Sequence, residues 1–96
     1  MSQPNSEEFY KKLKVQLTET SSWPSKYLYK FIVASDSLKI SQIQNLFNNT
    51  GAVINTKESK NGKYTSVSVH VEMKNPDAVI FKYIEVTKKV EGVISL

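Results

Sequence analysis

Residues 60–73 read Lys60-Asn61-Gly62-Lys63-Tyr64-Thr65-Ser66-Val67-Ser68-Val69-His70-Val71-Glu72-Met73, and two signals in this stretch decide the fold. The first is Asn61-Gly62. Both central positions of a two-residue type I′ turn need positive φ, which asparagine tolerates and glycine adopts freely, so the pair predicts a hairpin. The second is the alternation that follows. Thr65, Val67, Val69, Val71 and Met73 fall on one side, and Tyr64, Ser66, Ser68, His70 and Glu72 on the other. Period two marks a strand with one face on a core and the other polar or turned to a partner.

Outward from the turn, residues 52–58 also alternate, with Ala52, Ile54 and Thr56 on the core side, and supply the hairpin's first strand. On the other flank, Asn75-Pro76-Asp77 predicts a helix start. Asn75 is the cap and Pro76 the first helical residue, where its missing N–H costs nothing. Val79, Ile80, Tyr83, Ile84, Thr87 and Val90 carry the apolar stripe to about residue 89, and Lys88 and Lys89 complement the negative end of the helix dipole. Glu91-Gly92 breaks the helix, and residues 93–96 read as a short final strand.

Further back, residues 26–34 are rich in aromatic and branched side chains and read as a central strand, with Tyr27, Tyr29, Phe31 and Val33 on one face. Leu28, Lys30, Ile32 and Ala34 take the other. Ser35-Asp36-Ser37 offers a turn and cap into a helix over about residues 38–49, where Ile40, Ile43, Leu46 and Phe47 have helical spacing. Gly51 is the expected C-cap. Before the strand lie Trp23-Pro24, a polar linker over residues 18–22, and a short helix from Ser6 to about Leu17 with Phe9, Leu13 and Leu17 in a narrow stripe. Residues 1–5 read as a disordered start.

The order is an accessory helix followed by β-α-β-β-α-β. With right-handed crossovers, this gives an α+β, ferredoxin-like sandwich: a four-stranded antiparallel sheet with two helices on one face and the other face uncovered. The expected division is residues 1–22 as a tail with short helix and linker, and residues 23–96 as the folded domain. Ninety-six residues are one domain, which at this size buries roughly two-thirds of its unfolded surface without covalent staples.

Composition narrows the function classes. The chain has no cysteine, which excludes disulfides, iron–sulfur clusters and thiolate zinc sites. No window approaches the ~20 apolar residues of a membrane span and no signal-peptide run is present, so a cytoplasmic protein without a membrane role is the expectation. The net charge is +4, and all thirteen basic residues are lysines. Arginine's planar fork is the usual instrument for gripping phosphates and guanine edges, so its absence weighs against phosphoryl transfer and base reading.

The residues Trp23-Pro24, Tyr29-Lys30-Phe31, Ser59-Lys60 through Gly62, Tyr64, Ser66-Val67-Ser68 and Gly92-Val93-Ile94 resemble the YbeD-like family of small bacterial proteins of unknown function. The resemblance covers about residues 9–96 and is most specific in the hairpin. It implies a ferredoxin-like fold related in shape to the ACT regulatory domains, which sense small ligands, and it implies no known activity. In ACT domains the first strand-to-helix loop receives amino acids and often bears glycine. Here that candidate ligand loop is Ser35, Asp36 and Ser37, without glycine.

Candidate chemistry is sparse. His70 is the only histidine, with Glu72 its one carboxylate neighbour on the same face, so a metal site lacks ligands. Ser66, Ser68 and His70 share a strand face, but same-face neighbours stand about 7 Å apart, too far for a nucleophile and base to hydrogen-bond directly. Gly62-Lys63-Tyr64 faintly echoes the motif of RNA-recognition sheets. The next positions, Ser66, Ser68 and His70, do not stack, and nucleic acid is disfavoured. No enzyme and no cofactor is expected. The candidate partner face is Leu28, Lys30, Ile32, Val53, Tyr64, Ser66, Ser68 and His70, with Val93 beside them, a mixed apolar and hydroxyl surface suited to a protein partner or a homodimer. An ACT-type small-molecule sensor is the first rival and a weak nucleic-acid binder the second. In a further alternative, the N-terminal helix folds over this face.

Overall fold

Tyr64–Met73 forms a ten-residue strand in the computed structural model, which describes residues 6–95. Thr65, Val67, Val69, Val71 and Met73 are all buried, while Tyr64, His70 and Glu72 are exposed and Ser66 and Ser68 half-buried. The elements in chain order are α1 (Ser6–Thr20), β1 (Ser25–Ala34), α2 (Ser37–Leu46), β2 (Val53–Glu58), β3 (Tyr64–Met73), α3 (Pro76–Lys89) and β4 (Ile94–Ser95). The strands form one antiparallel sheet in the order β2-β3-β1-β4, the ferredoxin-like arrangement preceded by a helix. Residues 1–5 and Leu96 lie outside the described residues, and with them the disordered start and the last residue of the expected final strand.

Strand β1 pairs with β3 from Ser25↔Met73 to Ala34↔Tyr64, and this long central ladder carries the core. Tyr29, Phe31 and Val33 project to the same side as Val67 and Val69, against Ile43 of α2, Phe47 just after it, and Val79, Tyr83 and Val86 of α3. The Tyr29 and Phe31 rings stack 5.6 Å apart, and Tyr83 meets Tyr29 edge-on at 4.9 Å. Such aromatic contacts add about 0.5–1.5 kcal/mol each beyond the area they bury. Their polar ends are satisfied: the Tyr29 hydroxyl donates to the Val79 carbonyl at 3.0 Å, and the Tyr27 and Tyr83 hydroxyls are 2.8 Å apart.

Helix α3 starts as its sequence demands. Asn75 Oδ1 accepts the Ala78 N–H at 2.8 Å, with Pro76 in the first turn. Helix α2 is capped likewise, Asp36 Oδ1 accepting the Leu38 N–H at 2.9 Å. It has no basic residue in its own last turn. Lys82 of α3 supplies the cation instead, donating to the Leu46 carbonyl at 2.6 Å and to Glu85 at 2.9 Å, above the Phe47 ring. A cation at a helix C-terminus is favourable, and here it also ties the two helices together.

Several local expectations are corrected. The hairpin does not turn on two residues at positive φ: only Gly62 is left-handed, at 74°, and the Ser59 carbonyl accepts the Gly62 N–H at 2.9 Å. Asn61 contributes its side chain, accepting the Lys63 N–H at 3.1 Å, so the loop is longer than the pair alone predicts. Helix α2 stops at Leu46, capped by Phe47, and Gly51 lies in the turn beyond it rather than at the cap. In α3, Val86 is buried, while Ile84 and Thr87 face solvent.

Helix α1 runs three residues further than its narrow stripe suggested, to Thr20. It does not cover the open side of the sheet. It lies in the helical layer beside α3, with Leu17 in the core, Tyr10 and Leu13 packed against it, and Lys14 2.9 Å from Asp77. Phe9, expected on the packing stripe, is 61% exposed, and Tyr10 takes its place. Trp23 fastens the connection by donating to the Leu17 carbonyl at 3.0 Å.

Candidate functional site

The antiparallel register sets the side chains of the uncovered face in rows that cross the strands. At one end Lys26 lies opposite Glu72. Next comes Leu28–His70–Val53, then Lys30–Ser68–Asn55, then Ile94–Ile32–Ser66–Lys57, and last Ala34–Tyr64. Two rows with an apolar edge therefore enclose a polar one. Leu28 is 44% exposed, Val53 60%, Ile94 53% and Tyr64 50%, large values for apolar side chains on regular strands. Single exposed apolar residues are ordinary, but here they share one continuous surface.

Two shallow hollows divide this face. One, about 360 Å³, is bordered by Lys26, Leu28, Val53, His70 and Glu72. The other, about 530 Å³, lies at the hairpin end between Ile32, Lys57, Tyr64 and Ser66. Lys26, Lys30 and Lys57 outnumber Glu72 on the face, which gives it a positive balance. Ser66 donates to the Lys57 carbonyl at 3.3 Å, and so helps hold β2 on β3.

The eight residues that the sequence assigns to the partner face, Leu28, Lys30, Ile32, Val53, Tyr64, Ser66, Ser68 and His70, are thus gathered on one side of the sheet. Val93 is not among them. It packs against the core, and Ile94, paired with Ile32, occupies the face in its stead. A two-residue strand has no alternation to read, so only the pairing reveals which residue faces out. Asn55, Lys57, Lys26 and Glu72 also belong to the surface, and alternation extended one step further would have found them.

The loop of Ser35, Asp36 and Ser37 is occupied with holding the fold. Asp36 caps α2, and the Ser35 hydroxyl lies 2.8 Å from that of Thr65, a buried polar residue of the core face. Among the described residues no three His, Asp or Glu side chains gather as a metal site would need, and no helix is long and apolar enough to cross a membrane. His70 stands between Leu28 and Val53 in the register.

The strongly perturbed groups lie on the opposite side of the sheet. Burial pushes the hydroxyls of Tyr29 and Tyr83 far above the usual tyrosine range, and the hydrogen bond between Tyr83 and Tyr27 raises Tyr83 further. Enclosed in the core, they serve packing rather than proton transfer with solvent.

No curated protein and no solved structure matches this chain. A family model described as "Protein of unknown function (DUF493)" matches residues 18–94, spanning β1 through the first residue of β4. The YbeD-like resemblance carried by the hairpin and by Trp23-Pro24 leads to this same family. The chain belongs to the DUF493 family of proteins of unknown function.

Proposed function

We propose that this protein is a non-enzymatic binding or regulatory module, and that the open face of its sheet meets a protein partner or a second copy of the chain. The observation that carries this reading is the position of α1. Helix α1 packs beside α3 instead of over the face, and among the described residues no element covers Leu28, Ile32, Val53, Tyr64 and Ile94. Apolar positions interleaved with serine, asparagine and lysine have the mixed character of transient protein interfaces rather than of a sealed core. The engagement of Ser35 and Asp36 in the fold favours this face over a ligand site at that loop.

The test compares the wild type with a Ser68→Lys plus Ile32→Asp variant. Sedimentation velocity over a concentration series and affinity capture from native lysate are read side by side. The expected outcome is self-association or a specific companion with the wild type and loss of both with the variant, at unchanged circular dichroism. Identical behaviour of the two proteins, whether both monomeric and alone or both with the same companions, removes the face from recognition.

A further inference from the structure

Asn61 is followed by glycine, and no other asparagine of the chain is. The pair matters chemically as well as for the turn. The main-chain nitrogen after an asparagine can attack the side-chain amide carbon, and glycine, which has no Cβ, obstructs that approach least. Attack forms the bond from the Gly62 nitrogen to Asn61 Cγ. The bond from Cγ to the side-chain nitrogen breaks, and that nitrogen leaves as ammonia, taking up the proton that Gly62 loses. Water then opens the cyclic imide at either carbonyl. One opening gives aspartate, and the other gives isoaspartate, in which the main chain runs through the side-chain carbons. Asn61 is exposed, so water reaches it.

The closed hairpin engages both reacting groups elsewhere. The Gly62 N–H donates to the Ser59 carbonyl at 2.9 Å, while Asn61 Oδ1 accepts the Lys63 N–H at 3.1 Å and the Ser59 hydroxyl at 3.2 Å. Ser59 is itself fixed by Tyr64: its N–H donates to the Tyr64 carbonyl at 2.7 Å, and its Oγ accepts the Tyr64 N–H at 3.0 Å. Attack requires the Gly62 nitrogen to lose its proton and the Asn61 amide to turn over it, and these bonds oppose both movements. We infer that Asn61 is a modification site of this protein, protected while the hairpin is closed and deamidated when it opens.

The two products act differently on the fold. Aspartate keeps an acceptor for the Lys63 N–H and adds a negative charge between Lys60 and Lys63 in the chain. Isoaspartate makes the main chain one carbon longer between Ser59 and Lys63, so the bonds that close the loop onto Ser59 cannot all keep their geometry. Tyr64 borders the hollow at the hairpin end with Ile32, Lys57 and Ser66, and the isoaspartate form therefore carries an altered margin to the open face. The chemistry is independent of what that face binds. Asn49 and Asn55 serve as internal contrasts, since each precedes a threonine whose branched side chain crowds the attacking nitrogen.

The test incubates the intact chain at neutral pH and physiological temperature, beside the same chain unfolded in guanidinium. A glutamate-specific protease used at mildly acidic pH cuts after Glu58 and Glu72, and tandem mass spectrometry locates the mass gain from amide to carboxylate. Conversion is expected at Asn61 before Asn49 or Asn55, as both aspartate and isoaspartate, and about tenfold slower in the folded chain, the equivalent of one hydrogen bond that must open. Ser59→Ala removes the hydroxyl that joins Asn61 to Tyr64, and it speeds conversion of the folded chain while leaving the unfolded rate unchanged. Val69→Ala weakens the core but leaves the hairpin bonds in place, and it changes the folded rate little. The isolated isoaspartate form shows shifted amide NMR signals at Ser59, Lys63 and Tyr64. Equal rates in the folded and unfolded chains, earlier conversion at Asn49 or Asn55, no effect of Ser59→Ala, or equal acceleration by Ser59→Ala and Val69→Ala overturns the inference. The last result means that conversion follows global unfolding instead of opening of the hairpin.

Discussion

The Tyr29 and Tyr83 hydroxyls are buried in the core, which opposes a charge on either, and Tyr29 would also lose the hydrogen bond it donates to the Val79 carbonyl. The unfolded chain has no such constraint and loses these protons near pH 10. Above that pH the unfolded state binds fewer protons than the folded state, and stability falls as pH rises. The contribution is therefore whole below about pH 10 and declines above it by about 1.4 kcal/mol per pH unit for each of the two groups. Urea midpoints should be level with respect to these groups up to about pH 10 and drop beyond. Tyr29→Phe should cost about 1 kcal/mol at neutral pH through the lost hydrogen bond and should halve the alkaline slope. An unaltered slope in that variant would contradict the assignment.

The strand β3 shows how unevenly neighbours in one element matter. Val69 is fully buried between Tyr29 and Ile54 in the register, whereas Ser68 faces the open side. Val69→Ala should destabilise by about 2–3 kcal/mol from lost transfer energy and the cavity left behind, and Ser68→Ala should stay within about 0.5 kcal/mol. Chemical denaturation of the pair decides it, and equal effects would refute the assigned faces. Helix α1 makes the same contrast. Leu17→Ala should cost about 2–3 kcal/mol, and Phe9→Ala little, because only Leu17 reaches the core.

These pairs also show what could be read before the coordinates. The faces of β1 and β3, the Asn75 and Asp36 caps and the order of elements are local or periodic properties, and all were legible. The turn after β2 was only half legible, because Asn61 bonds through its side chain rather than taking positive φ. The docking of α1 through Tyr10 instead of Phe9 was hidden, since one residue of rotation is decided by the partner surface on α3 and leaves no mark on the periodicity.

At the scale of the whole molecule, the architecture is one-sided: among the described residues three helices lie on one face of the sheet and none on the other. The face residues were legible because alternation assigns both sides of a strand at once. Ile94 was not, since its position comes from pairing with Ile32, a distant contact.

The strands also differ greatly in grip. Among the described residues, β1 and β3 are joined over ten residue pairs, while β4 holds β1 by two. Tension applied at Ser95 is therefore met first by the weakest rungs, which open one after another, and the central ladder bears no load until α3 itself is dragged away. The last strand acts as a mechanical fuse, yielding to a modest pull while the aromatic interior remains intact.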